Sequence, residues 1–273
     1  MLRPRIIPCL LVHQGGLVKT KGFKVPKYVG DPINAVKIFN EKESDELMVL
    51  DIDASVDGTP PNYDLISKMA QECRMPLSYG GGVTSAEQAA RIIDMGVEKV
   101  CISSAAISNP QLLQEISTAI GCQSVVAVLD VRKRSGLLAK GYEVCTHNAR
   151  KSVKVDPVEL AVQLQEVGAG EIVFNSVDHD GEMKGYDLGF ARQVRTALKV
   201  PITFLGGAGS LEDIGRLVSE VGVVGAAAGS LFVFKGKYRA VLINYPTFTQ
   251  KEQLCRTALS LYSNPSTEKS YVL

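Results

Sequence analysis

Eight short runs rich in Val, Ile and Leu punctuate the chain: RIIPCLL, ELMVLDI, PLSYGG, EKVCIS, SVVAVLD, EIVFNS, PITFLGG and VVGAAAG. Their nearly continuous apolar character means burial on both faces, which is the property of strands in a parallel sheet wrapped by helices. Most are separated by stretches with helical apolar spacing and helix start signals, namely Asp31-Pro32, Pro60-Pro61, Ser85 before Glu87, Asn109-Pro110, Asp156-Pro157 and Ser210 before Glu212. This is a βα alternation. Eight units favour closure over an open doubly wound sheet, and 273 residues suit one barrel of ~250. The fold class expected is α/β, a (β/α)8 TIM barrel spanning residues 1–264. The polar residues from 265 to 273 are expected to form a loosely held C-terminal tail.

The chain also repeats itself. Pro76–Arg91 lies over Pro201–Arg216 at a constant offset of 125, matching Pro76 with Pro201, Gly81 with Gly206, Gly82 with Gly207, Ser85 with Ser210, Glu87 with Glu212 and Arg91 with Arg216. A one-residue slip then pairs Gly96 with Gly222 and Ser104 with Ser230. Near the start, IIPCLLV lies over VVAVLDV and places Leu11 opposite Asp130. Self-similarity over half the chain predicts a barrel built from two half-barrel repeats.

Thirty basic against 29 acidic residues leave a net charge of +1, so no sequence-wide positive field draws in nucleic acid or an anionic membrane. Partners must be recognised locally. The N-terminal apolar stretch is short and broken by Pro8; it reads as a strand, not a membrane span or a signal peptide. Six scattered cysteines have neither metal-ligand spacing nor the density of a disulfide scaffold, which fits reduced thiols in the cytoplasm. His13, His147 and His179 are isolated, so no metal site, no cofactor and no nucleophilic triad is expected.

Two kinds of candidate chemistry remain. Gly80-Gly81-Gly82 and Gly206-Gly207 each follow a strand and precede a helix, and each is echoed one unit later by a small hydroxylated turn, Ser103-Ser104 and Gly229-Ser230. Backbone N–H groups in such turns can approach an anion, and barrels bind phosphate after their last strands. The duplication therefore predicts two phosphate sites across one mouth; the alternative is that the glycines only permit tight turns. Carboxylates also collect at strand ends: Asp51 and Asp53, Asp130, and Asp178 with Asp180. Asp130 is the leading acid/base candidate because the Val-Val-Ala-Val-Leu before it places apolar walls around it. Capping of the following turn, or pairing with Arg132 and Lys133, is the structural alternative.

RIIPCL at 5–10, LVK at 17–19, GDP at 30–32, DEL and VLDI at 45–52, GGGV at 80–83, SVVAVLD at 124–130, GAGEI at 168–172, DHDG at 178–181, GY at 185–186 and GGAG at 206–209 resemble, as a set, the cyclase subunit of imidazole glycerol phosphate synthase. The resemblance runs from about residue 3 to about residue 235. It implies ring closure on a bis-phosphorylated aminoimidazole-carboxamide ribonucleotide, with ammonia supplied by a separate glutaminase subunit in a heterodimer. It implies phosphate contacts at Gly81, Gly82, Ser103, Ser104, Asp180, Gly181, Gly206, Gly207, Gly229 and Ser230, and an ammonia gate made of Arg5, Glu46, Lys99 and Glu171.

The family pattern also pairs an Asp ending strand one with an Asp ending strand five as general acid and base. Here the second is Asp130 and the first is Leu11, which cannot transfer a proton; losing one of two cooperating groups costs orders of magnitude in rate. Cys101, Ser103 and Ser104 stand where the family usually offers Ser, Asn and Thr. Glu182 replaces a Thr, and its charge is expected to repel a phosphate. The resemblance therefore points to a paralogue that passes glutamine-derived ammonia to a surface-glycan sugar, with a third, amidating enzyme as partner. FKGKYRAVLINYP, from Phe234 to Pro246, resembles that subgroup. The rival expectations are a working cyclase in which Asp130 shares the task with a neighbour such as Asp51, and a phosphate-binding scaffold without ammonia flux.

Overall fold

The computed structural model describes residues 3–136 and 140–263, so the tail expected at 265–273 lies outside the described residues. All eight apolar runs are strands: β1 Arg5–His13, β2 Leu47–Asp51, β3 Leu77–Gly80, β4 Lys99–Ile102, β5 Val125–Lys133, β6 Glu171–Ser176, β7 Ile202–Leu205 and β8 Gly225–Ala228. Each pairs in parallel with the next, and β8 returns to β1 with Gly225 opposite Arg5, so these eight strands close into a barrel. Eight principal helices follow the strands: α1 Pro32–Glu41, α2 Tyr63–Glu72, α3 Ala86–Asp94, α4 Gln111–Ile120, α5 Pro157–Glu166, α6 Leu188–Ala197, α7 Leu211–Val221 and α8 Phe248–Ser263.

The start signals act through their side chains. Asp31 accepts from Asn34 N, Asp156 from Val158 N and Glu159 N, Ser85 from Gln88 N, and Ser210 forms a reciprocal capping box with Asp213. Two boundaries move inward from the sequence reading. Helix α2 begins after Asn62, whose Oδ1 accepts from Leu65 N, because neither Pro60 nor Pro61 has a side chain that can cap. Helix α4 begins after Pro110 with no side-chain cap.

The repeat is also geometric. Helices α1 and α5, α2 and α6, and α3 and α7, and strands β3 and β7, begin 125 residues apart. After β1 and after β5 the chain turns back antiparallel, in hairpins the sequence reading did not anticipate: Gly16–Lys21 with Lys24–Gly30, and Tyr142–Thr146 with Lys151–Ser152. A third, Phe234–Lys235 with Ala240–Val241, precedes α8. One apolar cluster lies between strands and helices; a second, with Ile7, Cys9, Met48, Cys101, Val126, Val173 and Ala227, fills the barrel lumen.

Candidate functional site

The C-terminal ends of the strands open into a cavity of about 780 Å³. All ten turn residues singled out from the sequence line it, as do Asp130 and Leu11. The glycines are there for space and for backbone conformation. Gly82 has φ +73° and Gly207 φ +110°, and a Cβ would lie 2.4 Å from Thr59 O at the first and 2.1 Å from Gly185 O at the second, so any side chain would push the turn out of the mouth.

Asp130 lies opposite Asn175 in the β5–β6 ladder, and Asn175 Nδ2 donates to its Oδ1 at 2.9 Å. Burial raises its pKa to about 7; the Asn175 hydrogen bond works in the opposite direction and nearby Asp180 adds to the rise. It can therefore both give and take a proton near neutrality. In the other half-barrel the same ladder position holds Leu11 opposite Leu50, and Leu50 and Asn175 are themselves 125 apart. At this ladder position one half-barrel presents Asp130 with Asn175 and the other two leucines, although Asp51 and Lys19 also line the cavity on the leucine side.

Lys19, on the first hairpin, points into the cavity and is only 6% exposed. Its Nζ donates to Cys9 O at 2.6 Å and makes no ion pair with a described residue. A Cβ on Gly229 would be 2.3 Å from that nitrogen, so a desolvated ammonium sits against the Gly229–Ser230 turn. Burial lowers its pKa, with Cys9 and Asp180 acting in the opposite sense. Asp180 is occupied otherwise: its Oδ2 accepts from Thr20 Oγ1 at 2.6 Å and from Phe23 N at 3.0 Å, which ties the first hairpin to the loop after β6. The second hairpin is tied across the mouth in the mirror sense, Asn148 Nδ2 donating to Ile52 O at 2.8 Å from a turn in which His147, Asn148 and Ala149 are all left-handed.

At the opposite, N-terminal end the four charged residues form one closed ring. Arg5 pairs with Glu46 and, at 2.7 Å, with Glu171; Lys99 Nζ lies 3.1 Å from a carboxylate oxygen of each. Ser78 Oγ donates to Glu46 at 2.7 Å and Thr203 Oγ1 to Glu171 at 2.6 Å, from positions 125 apart. Burial opposes charge on Lys99, yet the facing Glu171 and Glu46 hold its pKa above the ordinary value. Burial likewise works against Glu171, but Arg5 and Lys99 hold it low. Above the ring the lumen is hydrocarbon and thiol up to the mouth.

The sequence model described as histidine biosynthesis protein matches residues 5–239. The chain belongs to this family. Within it, the chain is 55% identical to the protein provisionally named imidazole glycerol phosphate synthase subunit HisF of Leptospira interrogans, over 93% of this chain and 99% of that one. It is 50% identical to the provisionally named subunit hisF2 of Pseudomonas aeruginosa, over 90% of this chain and 97% of that one. It is 39% identical to imidazole glycerol phosphate synthase subunit HisF of a Nocardioides species, over 85% and 92%.

Several expectations change. The charge of Glu182 does not stand alone at the mouth: Lys21 at 3.1 Å and Lys184 at 3.3 Å neutralise it, so the repulsion expected of it is offset. Asp51 serves the turn that follows it, accepting from Asp53 N and Ala54 N, while Asp53 holds the end of β1, accepting from Gln14 N and lying 2.7 Å from His13 Nδ1. Asp178 accepts from Lys133 N. The partner of Asp130 is Asn175, not Arg132 or Lys133. Among the described residues no cluster of His, Cys, Asp and Glu could hold a metal, and no helix is long and apolar enough to cross a membrane. Lys19 and Asn175 carried a signal only in their motifs, since nothing local tells a buried lysine from a solvated one.

Proposed function

We propose that this chain is the barrel subunit of a glutamine-dependent complex. It takes ammonia from a glutaminase partner at the charged floor, conducts it through the lumen and delivers it at the mouth for amidation of a surface-glycan sugar in the cytoplasm. The carrying observation is the closed Arg5–Glu46–Lys99–Glu171 ring beneath an apolar lumen that leads to a mouth lined by Asp130. A mutually neutralised ring with hydrocarbon beyond it disfavours ions and leaves neutral NH3 as the species that can follow the path.

Leu11 removes the proton carrier that ring closure needs opposite Asp130, so amidation replaces cyclisation. Asp130, poised near neutrality, remains to take up or release a proton beside the acceptor. Lys19 supports a phosphorylated ligand at the Gly206-Gly207 and Gly229-Ser230 side: a buried ammonium that makes no ion pair among the described residues is stabilised by an anion. The Gly81-Gly82 and Ser103-Ser104 turns supply the second anion position, with Gly181 against the first hairpin between them. A subgroup apart from the Nocardioides subunit is supported by 55% identity to the Leptospira protein against 39% to the Nocardioides one.

The test is reconstitution with the glutaminase. Wild type is expected to turn over the bis-phosphorylated aminoimidazole-carboxamide ribonucleotide with ammonium negligibly, Leu11→Asp to raise that rate, and Lys99→Ala to uncouple glutamine hydrolysis from ammonia delivery. Robust wild-type ring closure refutes delivery as the sole function.

A further inference from the structure

The first hairpin and the C-terminal hairpin meet at the mouth, Lys27 Nζ lying 5.2 Å from the centre of the Phe234 ring. From Gln14 to Gly30 and from Phe234 to Lys251 the chain has no acidic residue. Five cations of these segments, Lys24, Lys27, Lys235, Lys237 and Arg239, are exposed and make no ion pair with a described residue. Removing those five from the chain's 30 basic residues leaves 25 against 29 acidic ones, so a nearly neutral protein carries its positive charge in excess at one place.

The same place is apolar. Val25 is 86% exposed, Tyr28 66%, Tyr238 91% and Leu242 53%, together with half-exposed Val241. These are five of the eight large hydrophobic side chains exposed among the described residues, and single scattered ones would need no explanation. The C-terminal hairpin is held firmly: Asn244 Nδ2 donates to Leu231 O, Phe234 O and Leu242 O, and Arg239 reaches Gly181 O at 3.4 Å on the cavity wall. The family match ends at Arg239, inside this hairpin.

We infer that this two-hairpin rim is a docking surface for a second protein, one that presents an acidic face studded with apolar groups and covers the mouth. The inference rests on the ammonia-delivery reading in one respect: the occupant is taken to be the enzyme holding the ammonia acceptor, since delivery without loss requires the mouth to be covered. Charge complementarity sets its acidity, and exposed Tyr and Arg are the side chains that anchor protein interfaces. A free anion would satisfy the cations and leave Tyr28, Tyr238 and Val25 wet. A lipid surface would bury them but could not supply an acceptor at the cavity.

The test uses the full-length barrel bound to its glutaminase, with a purified sugar-amidating enzyme as the probe, measured by biolayer interferometry at 50 and 300 mM salt. Binding is expected to weaken at least tenfold over that range. It is expected to fall by a further tenfold or more with Lys235→Glu/Lys237→Glu and, separately, with Tyr238→Ser, while glutaminase activation at the other face stays unchanged. Unaltered binding in both variants, or cross-links that place the enzyme elsewhere, overturns the inference. So does finding that these substitutions abolish binding to phosphatidylglycerol vesicles or self-association, with the enzyme unaffected. The two proposals separate cleanly. A rim-bound complex that transfers no amide nitrogen defeats the delivery reading alone, and transfer that survives the rim variants defeats the docking surface alone.

Discussion

Lys99→Met tests whether the floor is a balanced ring or four independent charges. In the native ring two cations face two carboxylates whose side chains are 3% and 5% exposed. Removing Lys99 leaves Glu46 and Glu171 sharing Arg5, a buried net charge of about −1. Breaking one partner from a buried pair costs ~3–5 kcal/mol. Ser78, Thr203 and Arg5 still donate to the two carboxylates, which places the expected loss at the lower end, about 3 kcal/mol. For a domain of this size that is a fall in Tm of roughly 6–12 °C.

The pH dependence is the sharper part. Glu171 is held below its ordinary pKa by Arg5 and Lys99 against the opposing effect of burial, so its ionised form stabilises the native state above the unfolded carboxylate pKa and that contribution is lost as pH falls through the lower folded value. Without Lys99 the folded pKa rises. A proton then takes the place of the missing cation, and the deficit shrinks as pH drops. Thermal and urea unfolding of wild type and variant at pH 7.5 and pH 4.5 are expected to show a large gap that narrows on acidification. A deficit under about 3 °C at pH 7.5, or one that stays constant with pH, refutes the balanced-ring argument.

Asp130→Asn is expected to stabilise the barrel at alkaline pH. With the folded pKa near 7 and an unfolded value near 4, the native state favours the protonated acid, a contribution present below pH ~4 and lost as pH rises through ~7, by at most about 4 kcal/mol. Urea midpoints of the two proteins should converge at pH 4 and separate at pH 8, whereas parallel curves would place Asp130 in an environment like water. Gly225→Ala puts a Cβ 1.9 Å from Thr203 Oγ1 and 3.1 Å from Ile7 Cδ1; a loss of ~1–3 kcal/mol is expected, partly recovered by Thr203→Ala, and a neutral Gly225→Ala would show that β7 and β8 yield more readily than their register suggests.

The sequence alone determined the barrel. Strands buried on both faces have to read as unbroken apolar runs, and helix starts need Asp, Ser or Pro at fixed places, so both are written locally. The duplication was legible for the same reason, and it located the Leu11 and Asp130 pair that the ladder registers then placed at equivalent positions. Only the tertiary structure decided what depends on groups far apart in the chain. Arg5, Lys99 and Glu171 open three strands and Glu46 immediately precedes a fourth, and nothing in their neighbours fixes that each carboxylate lies between both cations. The neutralisation of Glu182 by Lys21, the engagement of Asp180 by the first hairpin and the isolation of the Lys19 charge all follow from where that hairpin folds. Hairpin position is set by cross-barrel hydrogen bonds and steric fit, which carry no periodicity along the chain, so the electrostatics of the mouth became readable only once the barrel had closed.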